Sequence, residues 1–187
     1  MNTSTPPCKI WSPQNSPRGI IQIIPNNTGN SVYDNFAIFL SGHGYLVICT
    51  TDIPDEITRR HQLPVFLIRH DDGRQPWPNT DIYTACVAIH KRKEYKNPLV
   101  KIWSAMTDGF NDCACPDKPC LIISNGTDIL KTSASVSKSL YQKFGGYNIN
   151  HLTVVMYPYA KNDMMQDENW PNAQHEILRF VNQATMI

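Results

Sequence analysis

The sequence has few charged residues and no long run of one sign. Lys and Arg number 17 and Asp and Glu 16 among 187 residues, which gives a net charge of +1 at pH 7. Nucleic-acid binding depends on clustered Lys and Arg side chains that displace counterions from phosphates. The one basic cluster, His90–Lys93, is predicted to be the solvated end of a helix. The sequence therefore predicts no nucleic-acid partner.

Long apolar runs are also missing. The longest, such as Tyr45–Cys49 and Val65–Ile68, fall far short of the roughly 18 residues that a membrane span requires. Met1–Pro7 has neither the positive segment nor the apolar segment of a secretory signal. These absences predict a soluble, cytoplasmic protein without a membrane span.

Cysteine is too sparse for a disulfide scaffold, with six in the chain. Cys49, Cys86 and Cys120 lie in strand or helix patterns and are predicted to be buried thiols. Cys113 and Cys115 bring two more thiols close to Cys120, but no fourth ligand follows, and C-x-C is not the spacing of a structural zinc site. We expect no metal and no cofactor.

What the sequence does contain is an alternation of short β-branched apolar runs with helical patterns. The predicted strands are Gly19–Ile24, Tyr45–Thr50, Pro64–Ile68, Leu99–Trp103, Cys120–Ser124 and His151–Tyr157. The predicted helices are Ser31–Ser41, Pro54–His61, Thr80–Tyr95, Thr132–Phe144 and Pro171–Ala184. The alternation predicts an α/β fold, with a mostly parallel sheet and helices on both faces. No repeat or linker divides it, so residues 1–187 are predicted to be one domain, with 1–8 flexible.

Several segments in serial order resemble one family: Ile21–Ile24 with Tyr33–Ala37, Gly42–Tyr45, Leu63–His70, Lys118–Asp128 and Tyr157–Asp163. They resemble the α/β-hydrolases of the monoacylglycerol lipase and lysophospholipase group. The resemblance implies that Leu63–His70 leads into the nucleophile elbow. It also implies that Lys118–Asp128 carries the catalytic acid and Tyr157–Asp163 the catalytic histidine.

The chain departs from this family at the positions that carry the chemistry. The family's G-x-S-x-G reads here as Arg69-His70-Asp71-Asp72-Gly73, with Asp71 in place of the serine. The Arg69 side chain is expected to clash with so strained a turn. Asn162 stands in place of the histidine, and a carboxamide cannot act as a base near pH 7. Asp128 is the one triad position that keeps the family's residue, the acid. Because the acid acts only by orienting a histidine that is absent here, no catalytic residue is expected.

Two further departures concern the oxyanion loop and the cap. Pro25-Asn26 replaces the family's His-Gly, and proline has no N–H to donate to an oxyanion. Only Ala105–Asp117 separates the predicted strand at Leu99–Ser104 from the strand that carries the acid. That interval is too short for a cap, so a minimal core lacking the cap is expected.

The same residues permit three hypotheses of function. The first is a catalytically inactive homologue, not an enzyme, that is reused as a binding or interaction protein. The second is a hydrolase with a rearranged carboxylate-based site around Asp71 and Asp128, with His70 or His175 as the base. The third is an Mg²⁺ or Ca²⁺ site. The last two draw on four carboxylates expected at one sheet edge: Asp71, Asp72, Asp128 and Asp163. The family's position for His70 is structural, and His175 is predicted to be an ordinary helix residue.

Loss of a cap predicts an exposed apolar face. The residues expected on it are Trp77, Met106, Phe110, Tyr159, Met164 and Met165. Aromatic and methionine side chains are typical of interface cores, so the face is predicted to bind a protein partner or a second copy of the chain. The alternative is that these side chains fold inward and fill the space of the lost acyl tunnel.

Overall fold

One sheet organises the protein in the computed structural model, which describes residues 8–25, 31–51, 63–71, 81–90, 118–126, 152–158 and 163–186. Its described strands are β1 (Lys9–Trp11), β2 (Ile20–Ile24), β3 (Leu46–Cys49), β4 (Val65–Asp71), β5 (Ala85–His90), β6 (Cys120–Gly126) and β7 (Leu152–Pro158). The order across the sheet is β1-β3-β2-β4-β5-β6-β7. Strands β2 to β7 run parallel, and β1 is antiparallel to β3 at one edge.

The strands form where the sequence is apolar on both faces. In β2, Ile20, Ile21 and Ile23 are buried, and alternate residues of the strand face opposite sides of the sheet. Parallel strands that are covered on both faces have nearly continuous apolar sequences, and for this reason the β-branched segments could be predicted as strands. The mostly parallel α/β architecture is therefore confirmed.

Two helices pack on one face of the sheet. They are α1 (Ser31–Gly42) and α2 (Trp170–Thr185), and a short 3₁₀ helix at Met164–Gln166 precedes α2. Phe36 of α1 and Trp170 of α2 meet edge to face, with ring centroids 5.0 Å apart. Of the helices that the structure describes, none has both the length and the apolar character needed to cross a bilayer.

Chain order reverses at β2, which creates a switch point in the sheet. From β2 the chain crosses to β3 on one side and then to β4 on the other side. In open α/β sheets the connections at such a point leave in opposite directions, and ligands bind outside the carboxyl ends of the strands there. The end of β4 is therefore where a functional site is expected.

Most predicted elements in the described ranges are confirmed. Strands β2, β3, β4, β6 and β7 and helices α1 and α2 overlap their predicted ranges closely. The three-residue edge strand β1 was not predicted. The predicted strand Leu99–Trp103 and the predicted helices Pro54–His61 and Thr132–Phe144 lie outside the described residues.

The helix predicted over Thr80–Tyr95 is wrong, because Ala85–His90 is strand β5. It pairs in parallel with β4 on one side and with β6 on the other. A short apolar run fits a buried strand as well as a helix, and here two neighbouring strands supply its backbone partners. His90 accordingly ends a strand and not a helix.

The interval predicted to be too short for a cap lies outside the described residues. Among the described strands, β5 (Ala85–His90) comes directly before β6, and residues 91–119 lie between them. The predicted strand at Leu99–Ser104 and the interval Ala105–Asp117 are not described, so the absence of a cap stays a prediction.

Candidate functional site

A buried polar network lies at the carboxyl end of β4. The Oη atom of Tyr33 lies 2.7 Å from Nδ1 of His70, and Nε2 of His70 lies 3.4 Å from Oδ1 of Asp163. Only 1% of Tyr33 and 1% of His70 is exposed, and Asp163 is buried as well. We call these three residues the Tyr33–His70–Asp163 network.

The three members come from three separate parts of the fold. Tyr33 lies in the first turn of α1, directly after the segment that resembles an oxyanion loop. His70 is the next-to-last residue of β4, on the face that α1 and α2 cover. Asp163 caps the 3₁₀ helix, where its Oδ1 accepts a hydrogen bond from the Met165 N–H at 3.1 Å. The network therefore joins the start of α1 to two of the segments that resemble the family's catalytic segments, the one that leads into the nucleophile elbow and the one that carries the histidine.

The geometry favours one protonation pattern for His70. A neutral imidazole has one N–H donor and one acceptor nitrogen. When the Tyr33 hydroxyl donates to Nδ1, the proton sits on Nε2 and faces the Asp163 carboxylate, so each nitrogen has a suitable neighbour. The arrangement differs from a catalytic triad in two ways. The carboxylate lies at Nε2 and the hydroxyl at Nδ1, the reverse of a triad, and the hydroxyl is a buried phenol and not an accessible nucleophile.

A second buried polar group lies on the other face of the sheet. Gln22, in the middle of β2, donates from Nε2 to the carbonyls of Thr50 and Thr51 at 3.0 and 3.2 Å. Its Oε1 accepts from the Tyr83 hydroxyl at 2.5 Å. The contacts tie the end of β3 to the segment before β5. Gln22 is not predicted as a functional residue from the sequence, because a single glutamine between isoleucines does not change the apolar pattern of Ile20–Ile24.

Arg69 lies in an extended strand and not in a tight turn, which corrects the expected clash. Its neighbours in register are Ile24 of β2 and Ala88 of β5, and its side chain is buried. The ladder continues as far as Asp71, which pairs with His90. Residues 69–71 are therefore extended, and the residues that follow them lie outside the described range.

The predicted triad positions are only partly within the described residues. Asp71 is the last residue of β4, at the expected edge of the sheet. Asp72, Asp128 and Asn162 lie outside the described residues. Of the four predicted carboxylates, Asp163 has a described side chain, and it faces His70. Within the described ranges, no three His, Cys, Asp or Glu side chains are placed to hold a metal ion.

The predicted apolar face needs a correction at two of its six residues. Met164 and Met165 are buried in the core cluster beneath α1 and α2. Both methionines belong to the 3₁₀ helix, and its N-cap residue Asp163 faces the buried His70. The other four residues lie outside the described residues: Trp77, Met106, Phe110 and Tyr159.

The histidine of α2, a tyrosine of β7 and three cysteines are also among the described residues. His175 is exposed on α2, as predicted for a helix residue, and meets Phe39 edge to face at 5.3 Å between ring centroids. Tyr157, near the end of β7, has a pKa raised by burial and by the charge of Glu176. Cys49, Cys86 and Cys120 are buried thiols, as predicted.

The architecture is that of the α/β-hydrolase fold, and comparisons with solved structures agree. TT1662 from Thermus thermophilus superposes with a TM-score of 0.61 at 13% identity, covering 96% of this chain and 94% of that chain. Est1E from Butyrivibrio proteoclasticus gives 0.59 at 11% identity, covering 96% and 94%. A monoacylglycerol lipase from Paleococcus ferrophilus gives 0.56 at 13% identity, covering 96% and 98%. The sequence matches no protein-family model and no curated protein.

Proposed function

We propose that this chain is a catalytically inactive α/β-hydrolase-fold protein whose former active-site edge serves in binding. The observation that carries the proposal is the burial of the Tyr33–His70–Asp163 network, because it removes His70 as the base of the alternative, rearranged hydrolase. Both ring nitrogens of His70 face protein side chains, and the imidazole is 1% exposed. A general base must reach the proton that it abstracts, and this histidine is closed off from substrate.

The residue in the nucleophile's position supports the same proposal. Asp71 continues the β4 ladder and pairs in register with His90. A nucleophile of this fold stands on a sharp turn after its strand, where the backbone exposes the reacting atom. Together with Asn162 in place of the histidine, Asp71 makes a degenerate triad in which Asp128 alone keeps the family's residue.

A minimal core that lacks the family's cap is part of the proposal. The family inserts its cap between the strands that correspond to β5 and β6, and here that interval is 91–119. Helices average about 11 residues and connections about four to six, so an interval of this length accommodates at most two helices. Such an interval gives little cover to the carboxyl edge of the sheet.

We place the binding surface at this edge, with a protein partner or a second copy of the chain as its occupant. With Met164 and Met165 in the core, four residues carry the proposal: Trp77, Met106, Phe110 and Tyr159. Light scattering at micromolar concentration tests self-association, with Trp77→Glu/Phe110→Glu expected to abolish any oligomer. The matched control is Ile82→Glu, an exposed apolar residue at the opposite, amino-terminal edge of the sheet. Loss of the oligomer in the control alone would place the interface elsewhere.

Inactivity is tested with monoacylglycerols, lysophospholipids and nitrophenyl esters. We expect no turnover above background. Turnover that disappears in Asp71→Ala and persists in Asp81→Ala, at an exposed aspartate of the opposite edge, would favour the alternative hydrolase built around Asp71 and Asp128. A rise in melting temperature with Mg²⁺ or Ca²⁺ that the same Asp71 variant abolishes would favour a carboxylate–metal site.

A further inference from the structure

Two cysteines that are distant in the sequence are direct neighbours in the sheet. Cys86 of β5 and Cys120 of β6 are partners in the parallel register. Both side chains belong to the core cluster on the face opposite α1 and α2, and both are thiols. Because the strands are parallel and in register, the two side chains stand side by side on one face.

The spacing of the two strands suits a covalent link. Neighbouring strands lie about 4.7–4.9 Å apart, and the Cα atoms of a disulfide lie about 4.4–6.8 Å apart. The Cβ atoms of a disulfide approach to about 3.5–4.5 Å, so closure needs the two strands to move together by roughly 1 Å or less. No change of register is required.

We propose that Cys86 and Cys120 form an oxidisable dithiol, a modification site at which a peroxide closes a cross-strand disulfide. One thiolate attacks the peroxide oxygen and becomes a sulfenic acid, while the peroxide is reduced and releases water or an alcohol. The second thiol then attacks the sulfenic sulfur and expels its hydroxyl as water. The two sulfurs together lose two electrons and two protons.

The surroundings favour a disulfide over a bound metal ion. The neighbouring side chains of the cluster are apolar, including Ile122 and Ala88. A disulfide is neutral, whereas a pair of thiolates on a soft cation keeps a net charge that is costly to bury. The apolar cluster therefore suits the oxidised pair as well as it suits the thiols.

The position of the pair at the rim of the sheet gives small oxidants a route to it. Cys120 is the first residue of β6, and the half-buried Lys118 and Pro119 precede it. The Cys86 N–H donates to the Pro119 carbonyl at 2.9 Å, at the amino end of the ladder. Opening of these first bonds exposes the thiols without unfolding the sheet, since strand ends open at lower free energy than strand centres.

The test is direct mapping of the unsubstituted folded chain after treatment with hydrogen peroxide, alkylation of remaining thiols and digestion before Asp residues. Cuts before Asp81 and Asp108 release Cys86 on one fragment, and cuts before Asp117 and Asp128 release Cys120 on another. A further cut before Asp112 places Cys113 and Cys115 on a third fragment, 112–116. We expect the fragments beginning at Asp81 and Asp117 to be linked, with a mass two hydrogens below their sum. The link should increase with peroxide dose and disappear on reduction.

In a Cys8→Ser variant, Cys49 is the internal control, because it is buried, its neighbours in register are Lys9 and Ile23, and the nearby Cys8 thiol is then absent. It should remain alkylatable at doses that link the pair. A Cys113→Ser/Cys115→Ser variant should keep the link, and a further Cys86→Ser substitution should abolish it. A link from Cys120 to the fragment with Cys113 and Cys115, or full alkylation of Cys86 and Cys120 after oxidation, would overturn the proposal.

Discussion

The Tyr33 hydroxyl oxygen lies 2.7 Å from Nδ1 of His70, and this contact binds the first turn of α1 to the end of β4. Asp163 approaches the other side of the same imidazole at 3.4 Å. A buried polar group that lacks its partner costs more than the hydrogen bond itself contributes. The three residues therefore stabilise the edge of the sheet only as a set.

Removing the Tyr33 hydroxyl should destabilise the fold. Tyr33→Phe leaves Nδ1 of His70 buried without that partner, so we expect the free energy of unfolding to fall by about 1–3 kcal/mol. Urea denaturation monitored by circular dichroism measures the change. Tyr45→Phe is the matched control, because the Tyr45 hydroxyl donates to Asn182 at 2.7 Å in a partly buried site and should cost less. If Tyr33→Phe and Tyr45→Phe lowered the free energy of unfolding equally, the Tyr33–His70 hydrogen bond would contribute no more to stability than a partly buried one.

Restoring the family's residues should not restore catalysis. In Asp71→Ser/Asn162→His we expect no ester hydrolysis, because residue 71 belongs to the β4 ladder and Pro25 offers no N–H to an oxyanion. Labelling by a fluorophosphonate probe reports an activated serine independently of turnover. Rapid labelling of the double variant, but not of Asp71→Ser alone, would contradict this expectation and with it the proposal of an inactive edge.

Gln22 should be intolerant of an apolar isostere. Gln22→Leu removes three hydrogen bonds, one with the Tyr83 hydroxyl and two with the carbonyl groups of Thr50 and Thr51, so we expect the free energy of unfolding to fall by about 2–3 kcal/mol. Adding Tyr83→Phe should recover part of that loss, because the hydroxyl is then absent as well. Strict additivity of the two substitutions in a double-mutant cycle would show that the two side chains do not interact.

Cys49 should make stability depend on alkaline pH. Burial, with a smaller contribution from the Asp34 charge, raises the pKa of its thiol from 9.0 to about 11. The unfolded thiol ionises first as pH rises, so this contribution to stability is complete below pH 9 and is lost as pH rises through about 11. The measurement is the free energy of unfolding of wild type and of Cys49→Ala, by urea denaturation at several pH values between 9 and about 11. Parallel pH profiles would contradict it.

The local sequence was sufficient for elements whose residues carry their own signal. Helix α2 is an amphipathic segment with Pro171 in its first turn, and β2 is β-branched on both faces. These properties depend on neighbours a few residues away, so the elements can be predicted without knowledge of the partners. The same is true of the buried thiols at Cys49 and Cys120, since each lies within or at the end of such a run.

Tertiary structure decided what depends on distant partners. The run at Ala85–His90 became a strand because β4 and β6 offer hydrogen bonds on both sides. Met164 lies in the core, directly after Asp163, which caps the 3₁₀ helix and faces His70. The local sequence pattern does not predict this arrangement. The contact of Tyr33 with His70 likewise exists only once α1 packs on β4. The local periodicity of the sequence determines which secondary structure is favourable, whereas segments far apart in the chain determine which side chains are buried and which polar groups pair.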